Sequence, residues 1–297
     1  LNNYQNISDY ALFGSFEFKT NRIQLRGGLR AAENSRYNAP IVPSVNFKYQ
    51  INTNNLVRFS YARGFRAPSL KELNLFFVDV NHNIQGNPDL NAENSNNFNL
   101  NYSFSDSYKK SKFKFDISLF YNEIFNMISL AVVDPRTQLY KYVNINEFKS
   151  TGFNLNVDFK VDNFSFNSGF AYTYRLNNIT NTFIASPEAR SQISYKIPII
   201  ETSVNLFFKF NGAVPGFVNN EDGTISETFV QAYSMSDLSL SKTFWDKKVS
   251  LIAGVKNLFN VTNIQFNMAG GGPHSGSGNM AIGMGRLVFT SLRISLY

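Results

Sequence analysis

The sequence predicts an all-β protein, a transmembrane antiparallel β-barrel, and three observations predict it. Segments of roughly ten residues alternate apolar and polar side chains along the whole chain. The connections between these segments alternate short and long and never change places. Stretches with helical periodicity are nearly absent, which leaves strands as the building material.

A strand repeats every two residues, so strict alternation gives it one apolar and one polar face. Phe113, Phe115, Ile117 and Leu119, interleaved with Lys112, Lys114, Asp116 and Ser118, are the clearest case. Val57, Phe59 and Tyr61 oppose Arg58 and Ser60, and Phe98, Leu100, Tyr102 and Phe104 oppose Asn97, Asn99, Asn101 and Ser103. Phe153, Leu155, Val157 and Phe159 likewise oppose Asn154, Asn156, Asp158 and Lys160. A basic side chain facing lipid near mid-bilayer costs about 2–4 kcal/mol and costs little in a wet lumen, which gives the clean phasing its energetic reason. A soluble sandwich can alternate too, but its strands are expected nearer five or six residues, without a systematic loop asymmetry.

The expected strands, in order, are Asp9 to Lys19, Arg22 to Ala32, Ile41 to Gln50, Leu56 to Gly64, Ser95 to Ser105, Lys112 to Leu130 and Leu139 to Lys160. Asn163 to Arg175, Glu188 to Lys196, Thr202 to Asn211, Thr228 to Lys242, Val249 to Val255 and Arg286 to Tyr297 follow, about thirteen in all. Short turns are expected at 20–21, 52–54, 106–110, 162, 198 and 246, and long links at 33–40, 65–94, 133–138, 177–187, 212–227 and 258–285. Short turns on one side and long loops on the other are the barrel pattern, with the long loops extracellular and the C-terminus periplasmic. Single-chain bacterial barrels use even strand numbers, and the chain opens at Leu1 without a signal segment. Residues 1–297 are therefore expected to be the C-terminal part of a larger barrel, as one domain.

The composition agrees, with 43% hydrophobic and 15% aromatic residues and 30 Phe against one Trp, far from a disordered chain. No apolar run approaches the roughly 18 residues of a spanning helix, so a membrane would have to be crossed by a closed barrel. The absence of Cys decides little. A net charge of +7 invites a nucleic-acid reading, but Arg22, Lys48, Arg58 and Lys160 are typical of basic residues scattered singly, so no nucleic-acid partner is expected.

Two segments carry a resemblance. Tyr61-Ala62-Arg63-Gly64-Phe65-Arg66-Ala67-Pro68-Ser69, followed by Gly86-Asn87-Pro88-Asp89-Leu90 and Glu93, resembles the paired FRAP and NPDL boxes of TonB-dependent outer-membrane receptors. Gly254 to Asn260 is similar to the end of that family's penultimate strand, and Arg286-Leu287-Val288-Phe289 to the opening of its last. The apolar phase of that last strand is Val288, Leu292, Ile294 and Leu296, and Tyr297 is out of phase. The resemblance implies a barrel of about 22 strands around an N-terminal plug, with TonB engaging an N-terminal TonB box, plug and box both being absent from this sequence. It implies active import of a scarce metal chelate, haem or a ferric siderophore, across the bacterial outer membrane. A cobalamin receptor of the same class and a passive porin are the alternatives. A surface lipoprotein lid over the loops is compatible with this reading, and no intrinsic cofactor is implied.

Read from residues alone, the boxes are also intelligible. Pro68 fixes φ and lacks a donor, which ends a ladder, and Ser69 and Glu72 have the spacing of a capping box. The candidate ligand residues lie in and beyond them. Some haem receptors of the resembled family carry a histidine in the interval between the two boxes, where His82 lies, and imidazole is a good axial ligand for haem iron. A solvated loop histidine is the plain alternative. His274, the only other histidine, sits in a Gly-rich loop. Arg63 and Arg66 suit an anionic ligand through bidentate contacts, or a nearby carboxylate such as Glu72 or Glu93. Phe76 and Phe77 suit a flat ligand or packing of their own loop. No nucleophile elbow, triad or zinc spacing is present, so no enzyme is expected.

Overall fold

The computed structural model describes residues 6–80, 82–134, 137, 139–177, 182–219, 225–245, 248–266, 278–281 and 283–295. Thirteen strands form one antiparallel meander: β1 (Asp9–Lys19), β2 (Ile23–Asn34), β3 (Val42–Gln50), β4 (Asn55–Arg66), β7 (Glu93–Tyr108), β8 (Ser111–Asp134), β9 (Leu139–Val161), β10 (Phe164–Asn177), β11 (Thr182–Ile197), β12 (Thr202–Asn211), β15 (Tyr233–Phe244), β16 (Val249–Lys256) and β19 (Leu287–Ile294). The remaining elements belong to the long links. A helix α1 (Leu70–Asn74) and the hairpin β5 (Phe76–Val78) and β6 (Asn83–Gln85) lie between β4 and β7. The strands β13 (Val214–Asn219), β14 (Ile225–Val230), β17 (Asn263–Phe266) and β18 (Gly278–Ala281) make a separate four-stranded sheet that ties two long links together. Among the described residues no helix is long and apolar enough to cross a membrane, which says nothing of crossing by strands.

Register keeps the two faces apart across the sheet, since a slip of one residue would exchange them. On one face Phe59 pairs with Leu100, which pairs with Leu119, which pairs with Phe153; on the other Arg58 pairs with Asn101, Ser118 and Asn154 in succession. Polar side chains bond along their own face. Asn101 donates to the Ser118 hydroxyl at 2.8 Å, Ser103 donates to Asp116, and Asn167 to Asp158. On the apolar face Tyr61 lies 4.8 Å from Phe98, and Phe98 lies 6.3 Å from Tyr121, centroid to centroid.

The predicted parity holds at the short turns, whereas the links from β8 to β9 and from β10 to β11, expected to be long, span four residues each, no more than the turn at 51–54. Lys109, Asp162, Glu201 and Trp245 sit in four of the short turns with φ between 46° and 53°, the left-handed backbone that a tight hairpin connection uses. Three boundaries differ from the sequence reading. The expected strand at 228–242 is two strands, broken at Gln231 and Ala232 where the chain passes from β14 to β15. The link expected at 177–187 is shorter, because β11 begins at Thr182 and pairs with β10 up to Asn177. β8 and β9 run on to Asp134 and from Leu139 as one long hairpin, with a register shift at Val132/Asp134. Tyr297 lies outside the described residues.

Candidate substrate-binding site at the long-loop end

The link between β4 and β7 folds as a compact knot. Pro68 ends the ladder of β4 and is fully buried. The Ser69 hydroxyl accepts from the Glu72 N–H while the Glu72 carboxylate accepts from the Ser69 N–H at 2.7 Å, the capping box expected from the spacing. α1 then buries Leu73, which with Leu90 and Tyr140 is 1–6% exposed. The chain returns over α1 through Gly86, where a Cβ would stand 2.6 Å from backbone atoms of Leu73, Asn74 and Leu75, so only glycine fits that crossing.

Carboxylates lock the knot to the wall. Arg66 donates from Nε to Glu93 at 2.7 Å and from Nη1 to Glu72 at 2.9 Å, and Glu93 also accepts from the Ile128 N–H of β8 at 2.6 Å. Burial pushes the Glu93 carboxyl up, but Arg66 and the Ile128 N–H outweigh it and hold it below the usual carboxylate range. Glu72 is likewise raised by burial and lowered further by Ser69 and Arg66, to a net depression. The Arg66 guanidinium is held charged above its ordinary value, chiefly by Glu93. Asn87 donates to the Tyr142 carbonyl and Asn144 to the Asn91 carbonyl, fastening the second box to β9.

On this base stands the hairpin β5–β6, whose inner strand pairs parallel with β9 at Ile84 and Tyr140. Its turn closes by the Asp79 N–H donating to the His82 carbonyl at 2.8 Å. His82 Nδ1 is 2.9 Å from the Asp79 carboxylate, and its ring lies 4.7 Å from that of Phe77. Phe76 and Val78, on the opposite face of the hairpin, are 76% and 47% exposed. A carboxylate on Nδ1 fixes the tautomer and leaves Nε2 as the basic nitrogen, the arrangement that orients metal-binding histidines.

The structure thus gathers Phe77, His82 and Asp79 at one loop tip and engages Arg66 with two carboxylates beneath them. Arg63 is set apart, in the phase of Tyr61 on the apolar face of β4, paired in register with Asn96. Arg66 is three positions further along β4, with Gly64 and Phe65 between, which puts the two side chains on opposite faces. His274 lies outside the described residues, and among the described residues no group of three metal-binding side chains occurs. Sequence reasoning missed the bond from Glu93 to Ile128, which joins residues far apart in sequence and leaves no local pattern. It also missed that topology brings scattered basic residues together on the polar face. The signal for that was available, because Lys112 and Lys160 each stand one step inside a short turn.

A wall of long antiparallel strands with one aromatic and one hydrogen-bonding face, short turns at one end and elaborated loops at the other, is an outer-membrane receptor barrel wall. The chain belongs to the family described as TonB dependent receptor-like, beta-barrel, whose profile matches residues 1–258. These receptors transport and are not enzymes. Among solved structures it is similar to a variant of the ferric enterobactin receptor PfeA from Pseudomonas aeruginosa, with 19% identity and a TM-score of 0.72 over 96% of this chain and 44% of that one. The siderophore receptor PirA from Acinetobacter baumannii matches at 19% identity and a TM-score of 0.71, covering 96% of this chain and 45% of that one. The FrpB iron transporter from Neisseria meningitidis matches at 13% identity and a TM-score of 0.70, with the same coverage. The chain spans less than half the length of these receptors. No curated protein matches it in sequence.

Proposed function

We propose that this chain supplies the wall and the outer loops of a receptor that imports an iron chelate, haem or a ferric siderophore, across the outer membrane. In this reading the long loops are extracellular, the short turns periplasmic, and TonB acts through a part of the receptor that precedes these residues. The observation that carries it is the loop tip at which Asp79 orients His82 against Phe77. An imidazole oriented by a carboxylate beside an aromatic ring suits a flat, metal-centred ligand.

Support comes from the layout around the tip. The knot below it is hydrogen-bonded to β8 and β9, which ties the base of the hairpin to the wall. Arg66 serves the knot and not the ligand, and Arg63 is left out of the site by its face. Phe76 offers exposed aromatic surface on the same hairpin.

The test is a titration of the full-length receptor in detergent with haem, ferric enterobactin and cobalamin, followed by their absorption bands. A Soret shift on adding haem, lost in His82→Ala, is the expected result. Binding of a siderophore or cobalamin alone, undisturbed by His82→Ala, removes the histidine from the site; uptake that needs no energy removes the active-import reading in favour of a porin.

A further inference from the structure

Antiparallel pairing places basic side chains of the polar face directly opposite one another three times. Lys48 pairs with Arg58, Lys112 with Lys160, and Arg190 with Lys209. Directly opposed like charges destabilise a sheet. Elsewhere the same face supplies its own counter-charges, since Arg26 meets Glu17 at 2.7 Å and Arg30 meets Asp9 at 3.2 Å. None of these six cations has a carboxylate within ion-pair distance among the described residues.

Both members of the Lys112–Lys160 pair are exposed. Its lateral neighbours in register are Ser107 and Ser165, and Lys114 stands at the next polar-face position of β8. Two acids stand at this end: Asp158, opposite Lys114, accepts from the Asn167 amide, and Asp162 in the adjoining turn lies 3.2 Å from Lys110. Lys112, Lys114 and Lys160 are all exposed and line a single concavity of about 580 Å³ together with Asn167, Gln192 and Ser194. The site is therefore three ammonium groups and the single Asp158 carboxylate, an excess of two positive charges, beside hydrogen-bonding side chains at the short-turn end of the polar face.

We propose that this concavity is an anion-binding subsite of the lumen, taking a solute with two or more carboxylate, phosphate or phenolate oxygens. Such a solute bridges Lys112 and Lys160, relieving their opposition, and accepts from Asn167 or Gln192 at its edge. The Arg190–Lys209 pair, nearer the long-loop end of the same face, lines a second concavity of about 560 Å³ that also holds the Glu188 carboxylate, and it is not part of the proposed subsite. The proposal needs the lumen but not the iron-chelate reading, which concerns the outer loops.

The experiment uses the full-length receptor in a planar bilayer, with its lumen opened by urea and citrate as the probe. Citrate is expected to block the open conductance from the short-turn side, and the double variant Lys112→Gln/Lys160→Gln to raise the half-blocking concentration about tenfold. Lys112→Arg/Lys160→Arg is expected to retain the block, and unchanged heat-modifiable migration of each variant certifies a folded barrel. Half-block at the same concentration in the Gln variant overturns the proposal. If that variant instead opens at lower urea with citrate block unaltered, the lysines hold an acidic face of whatever fills the lumen, and the solute subsite is likewise overturned. Neither failure touches the absorption titration of the outer loops.

Discussion

The wall and the knot at its long-loop end are made by opposite solutions to the same problem. Across the wall, apolar side chains such as Leu100, Leu119 and Leu240 stay 44–48% exposed on one face, while amides and charges occupy the other. Its order comes from ladders that pair every strand between β1 and β19 on both sides and from two solvents that keep the faces apart. In the knot the order is that of a small globular core: Leu73, Leu90, Tyr140 and Pro68 are buried, a helix is capped, and an arginine is clamped between carboxylates. The buried hydrophobic residues among those described lie in or against the long links, not in the middle of the wall. A barrel wall needs no interior of its own; a loop that must hold a ligand-binding tip in place does.

That contrast is broken most directly from the knot's side. Leu73→Ala removes the knot's most buried side chain and is expected to cost about 2–5 kcal/mol of local stability. In the full-length receptor this should appear as fast amide exchange and protease cutting between residues 67 and 92, with exchange in β8 and β9 below Tyr121 unchanged. Loss of wall protection along with the knot would show that the two regions are one cooperative unit. Leu119→Arg makes the reverse cut, placing a cation mid-band on the apolar face at a cost of about 2–4 kcal/mol. It should lower the temperature at which the folded band is lost on gels in lipid, while leaving exchange at Gly86 and Leu90 as it was.

The two regions also differ in how far the sequence discloses them. The wall was legible almost strand for strand, because period-two alternation is a local signal and each face meets a uniform medium. Phe59, Leu100 and Phe153 announce their face without knowledge of their neighbours. The break at Gln231 and the extension of β11 to Thr182 were not legible, since both lie beyond the apolar band where neither face is constrained. In the knot the capping box at Ser69 and Glu72 could be read from spacing, and Glu93 could be named as a partner for Arg66, but its acceptance from the Ile128 N–H and the seat of Gly86 could not, being set by long-range returns of the chain. The opposed lysines fall between these cases, with phase giving their face and only register giving their pairing.

Acid sharpens the comparison further, because the knot depends on ionised carboxylates and the hydrophobic band does not. Glu72 and Glu93 have folded pKa values below the ordinary range, so each binds fewer protons in the folded knot than in an opened one. Their contribution is complete above the ordinary carboxylate value of about 4.3 and is lost as pH falls below it through the depressed folded values. Amide exchange at Ile128, corrected for the intrinsic pH dependence, should therefore speed up relative to that at Leu119 as pH drops from about 7 to about 3. Glu93→Gln should show part of that loosening already at neutral pH and a flatter response below it, because Gln cannot accept the charge-assisted bond from Arg66 while its carbonyl still accepts from the Ile128 N–H. A constant ratio of the two exchange rates over this range would mean that the apolar packing of Leu73 and Leu90 holds the knot by itself, with the Arg66 clamp adding geometry and no stability.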